Sequence, residues 1–544
     1  MMKILQGQKA SGGIAIGAIH YFKRRKSAPV SNTGGDAQEE LERVEVAVQE
    51  AVRQLDAIRA IALEKMGDEE ANLFEMHSMM LTDIDYRESI TNIVTEENAN
   101  AEYAVAKTSE IYAEMFANMD DDYLKSRAAD VRDVSSRLLD ILQGNSGFAF
   151  SVANPVVVAA DDLYPSETVQ MDKSMVLAFV TSGGSGNSHT AIFARTMGIP
   201  AITALGEALD ESCNGKEAIV DGDGAALYLE PDSETTAEWA KRHDEDKKKK
   251  AALAALIGLP SQTLDGCAIR LCANIGSPSD VDMVLENDAE GIGLFRSEFV
   301  FMGLKDFPSE NQQYAAYKKA VEKMQGCEVT IRTLDIGADK QLDYFKFAHE
   351  ENPALGLRAL RICLTKPEIF ITQLRAIYRA SAHGNVSIMF PMVASLWELL
   401  EAKKIAAKVR AQLKAEGIPF SEHVSIGIMI ETPAAALISD ELAKEADFFS
   451  VGTNDLTQYT LAVDRQNNAL GRFTDTRHPA LLKLLELTAK NARQAGIPIA
   501  ICGELATDME LTRAFIKMGI DELSVPPPMI LPLRKFIREM KAEP

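Results

Sequence analysis

Ser425-Ile426-Gly427-Ile428-Met429-Ile430-Glu431 is an apolar run that ends on a carboxylate. A short continuous apolar segment of this kind reads as a strand buried on both faces, the type found in parallel sheets. Working outward, comparable runs occupy 269–273, 291–294, 329–334, 386–390, 448–451, 498–501 and 522–525, with helical stretches between them. About eight strand–helix repeats of this sort predict a (β/α)8 TIM barrel over residues 261–544. A doubly wound open sheet is the competing arrangement, but it rarely needs so many parallel strands.

A barrel makes its own test, because catalytic groups should sit where the strands end. Read in order, those ends carry Arg296, Arg332 with Asp335, Glu431, Asn454-Asp455 and Cys502-Gly503-Glu504. Arg358 follows in Asn352-Pro353-Ala354-Leu355-Gly356-Leu357-Arg358. Guanidinium forks bind carboxylates and phosphates bidentately, so several on one face imply a small polyanion. Glu431 and Asp455 could hold Mg²⁺, which takes one or two protein carboxylates and completes its shell with substrate oxygens and water. Taken singly, each arginine could equally stitch two loops together, and Cys502 could be a core thiol.

The first half has a different texture. Residues 36–143 contain almost no Gly or Pro, and Leu41, Val44, Val48, Val52, Leu55 and Ile58 recur in steps of three and four. That spacing predicts a bundle of antiparallel helices. On either side, 1–35 and 144–230 alternate short β-branched runs with turns. Strands are expected at Pro155-Val156-Val157-Val158, at 175–180 and at Ala218-Ile219-Val220, and a short helix over 191–197. The bundle is therefore an insert in a small α/β domain. Residues 231–260 read as a charged linker helix, in which Glu245 and Asp246 each precede a lysine by four residues. The fold class is multidomain α/β.

One loop in this half could carry chemistry: Thr181-Ser182-Gly183-Gly184-Ser185-Gly186-Asn187-Ser188-His189-Thr190, followed by a helix. A glycine-rich turn lets backbone N–H groups approach a phosphate, and the helix start favours its charge. A neutral His189 there could attack phosphorus, or it could be structural. His77 reads as structural.

Of 544 residues, 57 are basic and 80 acidic, a net charge of −23 that argues against a general nucleic-acid binder. No stretch approaches the roughly 18 apolar residues of a membrane span, and the N-terminus turns polar too early for a signal peptide. The six cysteines lack the spacing of a disulfide framework or a zinc site. The expectation is a cytoplasmic protein with reduced thiols.

Gly293-Leu294-Phe295-Arg296-Ser297-Glu298-Phe299, Arg332-Thr333-Leu334-Asp335, Ile430-Glu431-Thr432-Pro433 and Gly452-Thr453-Asn454-Asp455-Leu456-Thr457-Gln458 together resemble the phosphoenolpyruvate-utilising enzymes. With Cys502-Gly503-Glu504 and the His189 loop, the chain is similar over essentially its full length to the enzyme I family of the bacterial sugar phosphotransferase system. The resemblance implies phosphoryl transfer from phosphoenolpyruvate to His189, on a swivelling phosphohistidine domain, and then to a histidine of the phosphocarrier HPr. It implies that Arg296, Arg332, Arg358, Arg465 and Asn454 bind substrate, that Glu431 and Asp455 ligate Mg²⁺, and that Cys502 protonates the enolate to give pyruvate. Thr168 matches a residue that supports the active histidine. Met79, Met80, Tyr123, Leu124 and Arg127 match the surface of the helical insert that docks HPr. Members dimerise through the barrel half.

The family loop usually reads Gly-Gly-Arg-Thr-Ser-His. Here Ser185-Gly186-Asn187 stands between Gly184 and Ser188-His189, so the arginine is absent and the glycine pair is shifted by one residue. Three rivals remain at this stage. They are a dikinase or phosphoenolpyruvate synthase lacking its nucleotide domain, a lyase or aldolase on the same barrel, and a non-catalytic scaffold that binds HPr.

Overall fold

The computed structural model describes residues 2–542 except 24–34, 67, 120–121, 146–149, 151, 185–187, 303, 305, 338–343, 346–349 and 466. Its contacts divide the chain into two compact units, 1–248 and 249–544.

The first unit is built on an eight-stranded sheet. Its strands are β1 (Lys3–Gln6), β2 (Gln8–Ser11), β3 (Ile14–Phe22), β4 (Val156–Ala160), β5 (Val176–Thr181), β6 (Ala201–Thr203), β7 (Glu217–Asp221) and β8 (Ala226–Leu229), in the order β1-β8-β7-β3-β4-β5-β6-β2. The central β3, β4, β5 and β6 run parallel, and the flanking pairs are antiparallel. β6 and β8 were not expected from sequence: each opens on alanine, which is depleted in strands, and neither is a continuous β-branched run. Between β3 and β4 come five helices: α1 (Ala37–Met66), α2 (Asp68–Thr82), α3 (Ile84–Glu96), α4 (Ala101–Ala117) and α5 (Asp122–Leu142). The stripe read on α1 is its packing face, with Val44, Val48, Leu55 and Ile58 buried. Asp83 and Asn100 cap α3 and α4 by accepting from the backbone N–H of Tyr86 and Tyr103.

Two short helices, α6 (Pro165–Thr168) and α7 (His189–Met197), complete the α/β part. The insert is tied to it through Asp133 of α5, which accepts from the Ser166 backbone N–H (3.1 Å) and hydroxyl (2.5 Å). Helix α8 (Ser233–Ala254) follows, and the boundary between the units falls within it.

In the second unit β9 (Arg270–Ile275), β10 (Ile292–Arg296), β11 (Val329–Arg332), β12 (Val386–Phe390), β13 (Ser425–Ile430), β14 (Phe449–Val451), β15 (Ile499–Ile501) and β16 (Glu522–Val525) close into a parallel barrel, with β16 pairing back to β9. The open-sheet alternative is excluded by that closure. Side chains alternate across a strand, and here the alternation sorts the strands into two apolar groups. Ile331, Ile388, Phe390, Ile428, Ile430, Phe449, Val451, Ile499 and Ile501 pack in the large core with the surrounding helices. Leu294, Met389, Met429 and Cys502 form a separate small cluster. That second row is the one from which the functional side chains continue.

Candidate active site

Arg296 is the last residue of β10, two places after Leu294, and Glu431 stands two places after Met429. The two-residue period therefore carries the inner row upward from apolar to charged. A cavity of about 430 Å³ opens there. It is lined by Arg296, Arg332 and Arg465, by Glu298, Asp335, Glu431, Asp455 and Glu504, by Asn454, and by Leu294, Met429 and Cys502.

Most of these charges alternate in a chain. Glu298 Oε1 accepts from Arg332 Nη2 at 2.5 Å, and Arg332 Nη1 lies 3.0 Å from Asp335 Oδ2. Asp335 Oδ1 accepts from Arg358 Nη2 at 3.0 Å, while Arg358 Nη1 reaches Asp455 Oδ1 at 3.3 Å. Arg465 Nη1 donates to Asp455 Oδ2 at 2.9 Å. Arg358 is thus buried behind the cavity, not in its lining, where it braces Asp335 and Asp455. Among the described residues no carboxylate lies within ion-pair distance of Arg296, so its charge faces the cavity uncommitted.

Glu431 is fully buried. Its Oε1 accepts from the Met392 backbone N–H at 2.6 Å, and its Oε2 has no hydrogen-bond partner. Burial, and then the charges of Asp455 and Asp335, push its pKa well above the ordinary carboxylate range. A second carboxylate beside an orphaned carboxylate oxygen is a donor set that fits a divalent cation. Cys502 is buried beside them, and its thiol donates weakly to the Val451 carbonyl at 3.6 Å. Burial raises its pKa to about 11, against the opposing pull of Ser450, Arg332 and Arg296, so the group is a neutral thiol at pH 7. Asn454 is locked to Glu504: its Nδ2 donates to Oε1 (3.2 Å) and its Oδ1 accepts from the Glu504 backbone N–H (3.0 Å).

Sequence reasoning placed every member of this set except Glu298, Leu294 and Met429, and it also missed Phe299 and Met302, which line the cavity too. The first three lay inside quoted stretches, and the two-residue period from Arg296 and Glu431 was the signal that could have found them. Behind the wall, Gln373 was also missed. Its Oε1 accepts from Leu334 N (2.9 Å) and its Nε2 donates to Ser297 Oγ (2.9 Å), bracing the ends of β10 and β11.

In the first unit α7 begins at His189, where Ser188 Oγ caps the helix by accepting from Ala191 N–H at 3.3 Å. Thr190 Oγ1 donates to the Leu163 carbonyl, and the buried Thr168 donates to the carbonyl of Pro165 at 3.0 Å. Ser185, Gly186, Asn187 and the His189 side chain lie outside the described residues. On the insert Met79 is 66% exposed, whereas Met80 is partly buried against Ala113, Ala128 and Val131. Arg127 turns onto Asp130 (2.9 Å), which lies 3.2 Å from the buried His77. The side chains of Tyr123 and Leu124 lie outside the described residues.

Against known families, residues 250–542 match the phosphoenolpyruvate-utilising enzymes by their PEP-binding domain, 6–127 by their N-terminal domain and 152–224 by their mobile domain. The fold and the site therefore define a phosphoenolpyruvate-utilising enzyme. Phosphoenolpyruvate-protein phosphotransferases are similar along the whole chain. That of Priestia megaterium is 40% identical over 99% of this chain and 94% of its own length, and that of Bacillus subtilis (strain 168) is 38% identical over 100% and 95%. The chain belongs to the phosphoenolpyruvate-protein phosphotransferase family. Among the described residues no helix is long and apolar enough to cross a membrane.

Proposed function

We propose that this chain takes the phosphoryl group of phosphoenolpyruvate onto His189 and passes it to a histidine of HPr, releasing pyruvate. The observation that carries the reading is the single cavity in which guanidinium groups, paired carboxylates and a neutral thiol converge on one apolar floor. Its relatives' shared name and full-length identity do not favour the dikinase, the aldolase or the scaffold.

Phosphoryl transfer is positioning plus charge neutralisation. Arg296, Arg332, Arg465 and Asn454 are placed to hold the phosphate and carboxylate, with Arg358 acting from behind through Asp335 and Asp455. Glu431 and Asp455 are the residues that would hold Mg²⁺, which when bound supplies positive charge to the phosphate oxygens. Among the described residues the lining sets five carboxyl groups against three guanidinium groups, so added positive charge would favour binding of a polyanion.

The neutral imidazole of His189 forms the N–P bond as the P–O bond to the enol oxygen breaks. The enolate's methylene carbon then takes the Cys502 proton, and the thiolate recovers one from water. The raised thiol pKa suits this role, because the acid is still loaded at pH 7. Thr168, on α6 beside α7, supports the histidine.

In this reading residues 1–35 with 144–230 are the phosphohistidine domain, which travels between the barrel mouth and the docked carrier. Residues 36–143 dock HPr, with 231–260 as linker and 261–544 as the phosphoenolpyruvate barrel. Exposed Met79, Ile84, Ile111 and Met115 support an adaptable apolar docking face on the insert, with Met80, Tyr123, Leu124 and Arg127 as further contacts. The enzyme works in the cytoplasm as a homodimer joined through its barrels.

The test is incubation with phosphoenolpyruvate and Mg²⁺, with and without HPr. The expected result is pyruvate release and an acid-labile phosphate on the intact protein, both lost in His189→Ala. Intact-mass measurements that find no added phosphate would overturn the reading.

A further inference from the structure

Eight of the residues that line the cavity are charged, yet its floor is apolar: Leu294 and Met429, each at most 2% exposed, flank Cys502 and are backed by Met389 and Phe448. Met429 is fixed from two sides. Its sulfur accepts from Arg332 Nη1 at 3.7 Å, and on the other side it packs so closely on Gly452 that a β-carbon there would come within 3.0 Å of it. Such a floor cannot give way to admit an extra carbon without strain, because buried side chains pack at crystal-like density.

We propose that Leu294 and Met429 are specificity-determining residues. They seat the bare methylene carbon of the enol phosphate next to the Cys502 thiol and so restrict the reaction to a substrate unsubstituted at that carbon. The inference rests on the phosphotransfer reading and deepens it. The phosphate and carboxylate belong with the arginines, which leaves the methylene as the one apolar end of phosphoenolpyruvate. Leu294 and Met429 are the apolar lining beside the group that would protonate it.

The probe is the homologue of phosphoenolpyruvate that carries one methyl group on the methylene carbon. Release of the 2-oxo acid is followed with the intact enzyme, Mg²⁺ and HPr for both compounds, and the readout is the ratio of their kcat/KM values. One methyl group against a hydrophobic wall is worth about 10- to 200-fold in discrimination, so wild type should favour phosphoenolpyruvate by about 100-fold. Met429→Ala and Leu294→Ala should each narrow that preference about tenfold or more, whereas the volume-conserving Met429→Leu should leave it within about twofold. Disturbance of Arg332 by loss of the sulfur acts on both compounds and cancels in the ratio. If an alanine variant does not fold, Met429→Val and Leu294→Val should shift the ratio in the same direction by less.

Pyruvate release with an unmoved ratio in the folded variants overturns this inference alone. So does a wild type that uses both compounds equally. A wild type that releases no 2-oxo acid from either compound overturns the phosphotransfer reading, and this inference with it.

Discussion

Where the barrel strands begin, Arg270 Nη1 lies 3.0 Å from Glu328 Oε2 and 3.4 Å from Glu522 Oε2, and Ser387 Oγ donates to Glu328 at 2.7 Å. Where they finish, Arg332 is shared by Glu298 and Asp335, yet Glu431 keeps an orphaned oxygen and Arg296 an uncommitted charge around an open cavity. Both ends set opposite charges against one another, Arg270 against Glu328 and Glu522 at the lower end, and the arginines that close β10 and β11 beside the carboxylates of the cavity at the upper end. At the lower end the one arginine is engaged by two carboxylates; at the upper end, among the described residues, Arg296 and one oxygen of Glu431 are left unengaged. Incomplete neutralisation next to a void costs stability and persists where a ligand completes it. Under the proposed function, the contrast sets a structural group at one end of the strands against the catalytic group at the other.

The largest effect should come from the upper end. Glu431→Ala is expected to lower the rate of pyruvate release by about 1,000-fold or more, the scale of losing one preorganised charge-stabilising group. Its melting temperature should change little, since relief of the orphaned carboxylate oxygen offsets the hydrogen bond lost from the Met392 backbone N–H. A large loss of stability instead would mean that the upper end is structural too.

Next is the thiol. With its pKa raised from 9.0 to about 11, Cys502 carries about a hundredfold less thiolate at pH 8 than an ordinary cysteine. Its alkylation by iodoacetamide should be correspondingly slow and should climb until the pH nears 11. The exposed Cys267 and Cys327 should be modified first. Peptide mapping of label against pH checks this.

At the lower end, Arg270→Ala strands the carboxylates of Glu328 and Glu522. Because the arginine is half-exposed, the loss should be about 2 kcal/mol, between the limits for surface and buried ion pairs. Urea unfolding should show that loss while pyruvate release per folded molecule stays unchanged. A lowered rate would break the distinction between the ends.

The smallest effect concerns the cation. Mg²⁺ at ten times its Kd should stabilise wild type by about 1.4 kcal/mol, a rise in the barrel unit's Tm of about 2 °C. The rise should vanish in Glu431→Gln and survive in Arg270→Ala, as measured by thermal scanning without substrate.

The barrel was readable in the sequence because parallel strands buried on both faces are continuous apolar runs, and every run read between 269 and 525 overlaps a strand. Only the ends moved: Arg296, read just beyond its run, closes β10, and Arg332, read inside the run 329–334, closes β11. The helical insert was readable through the stripe on α1. The short strands β6 and β8 were not: Ala201-Ile202-Thr203 and Ala226-Leu227-Tyr228-Leu229 each open on alanine, which is depleted in strands, and neither is a continuous β-branched run. Of the candidate site, the residue types and strand-end positions were visible, while the direction of each side chain was not. Arg358 shows the difference: its spacing put it with the other arginines, but closure of the barrel buried it beneath them.

The order of apolar runs and the charged residue that ends each one are properties of the chain alone, since local burial period and residue chemistry need no partner to be recognised. Which charges pair, which oxygen of Glu431 is left over, and that Leu294 and Met429 form one floor with Cys502 were settled only when eight strands far apart in sequence closed into a ring. Closure sets the distances between residues on different strands, and pairing energies and packing both depend on those distances.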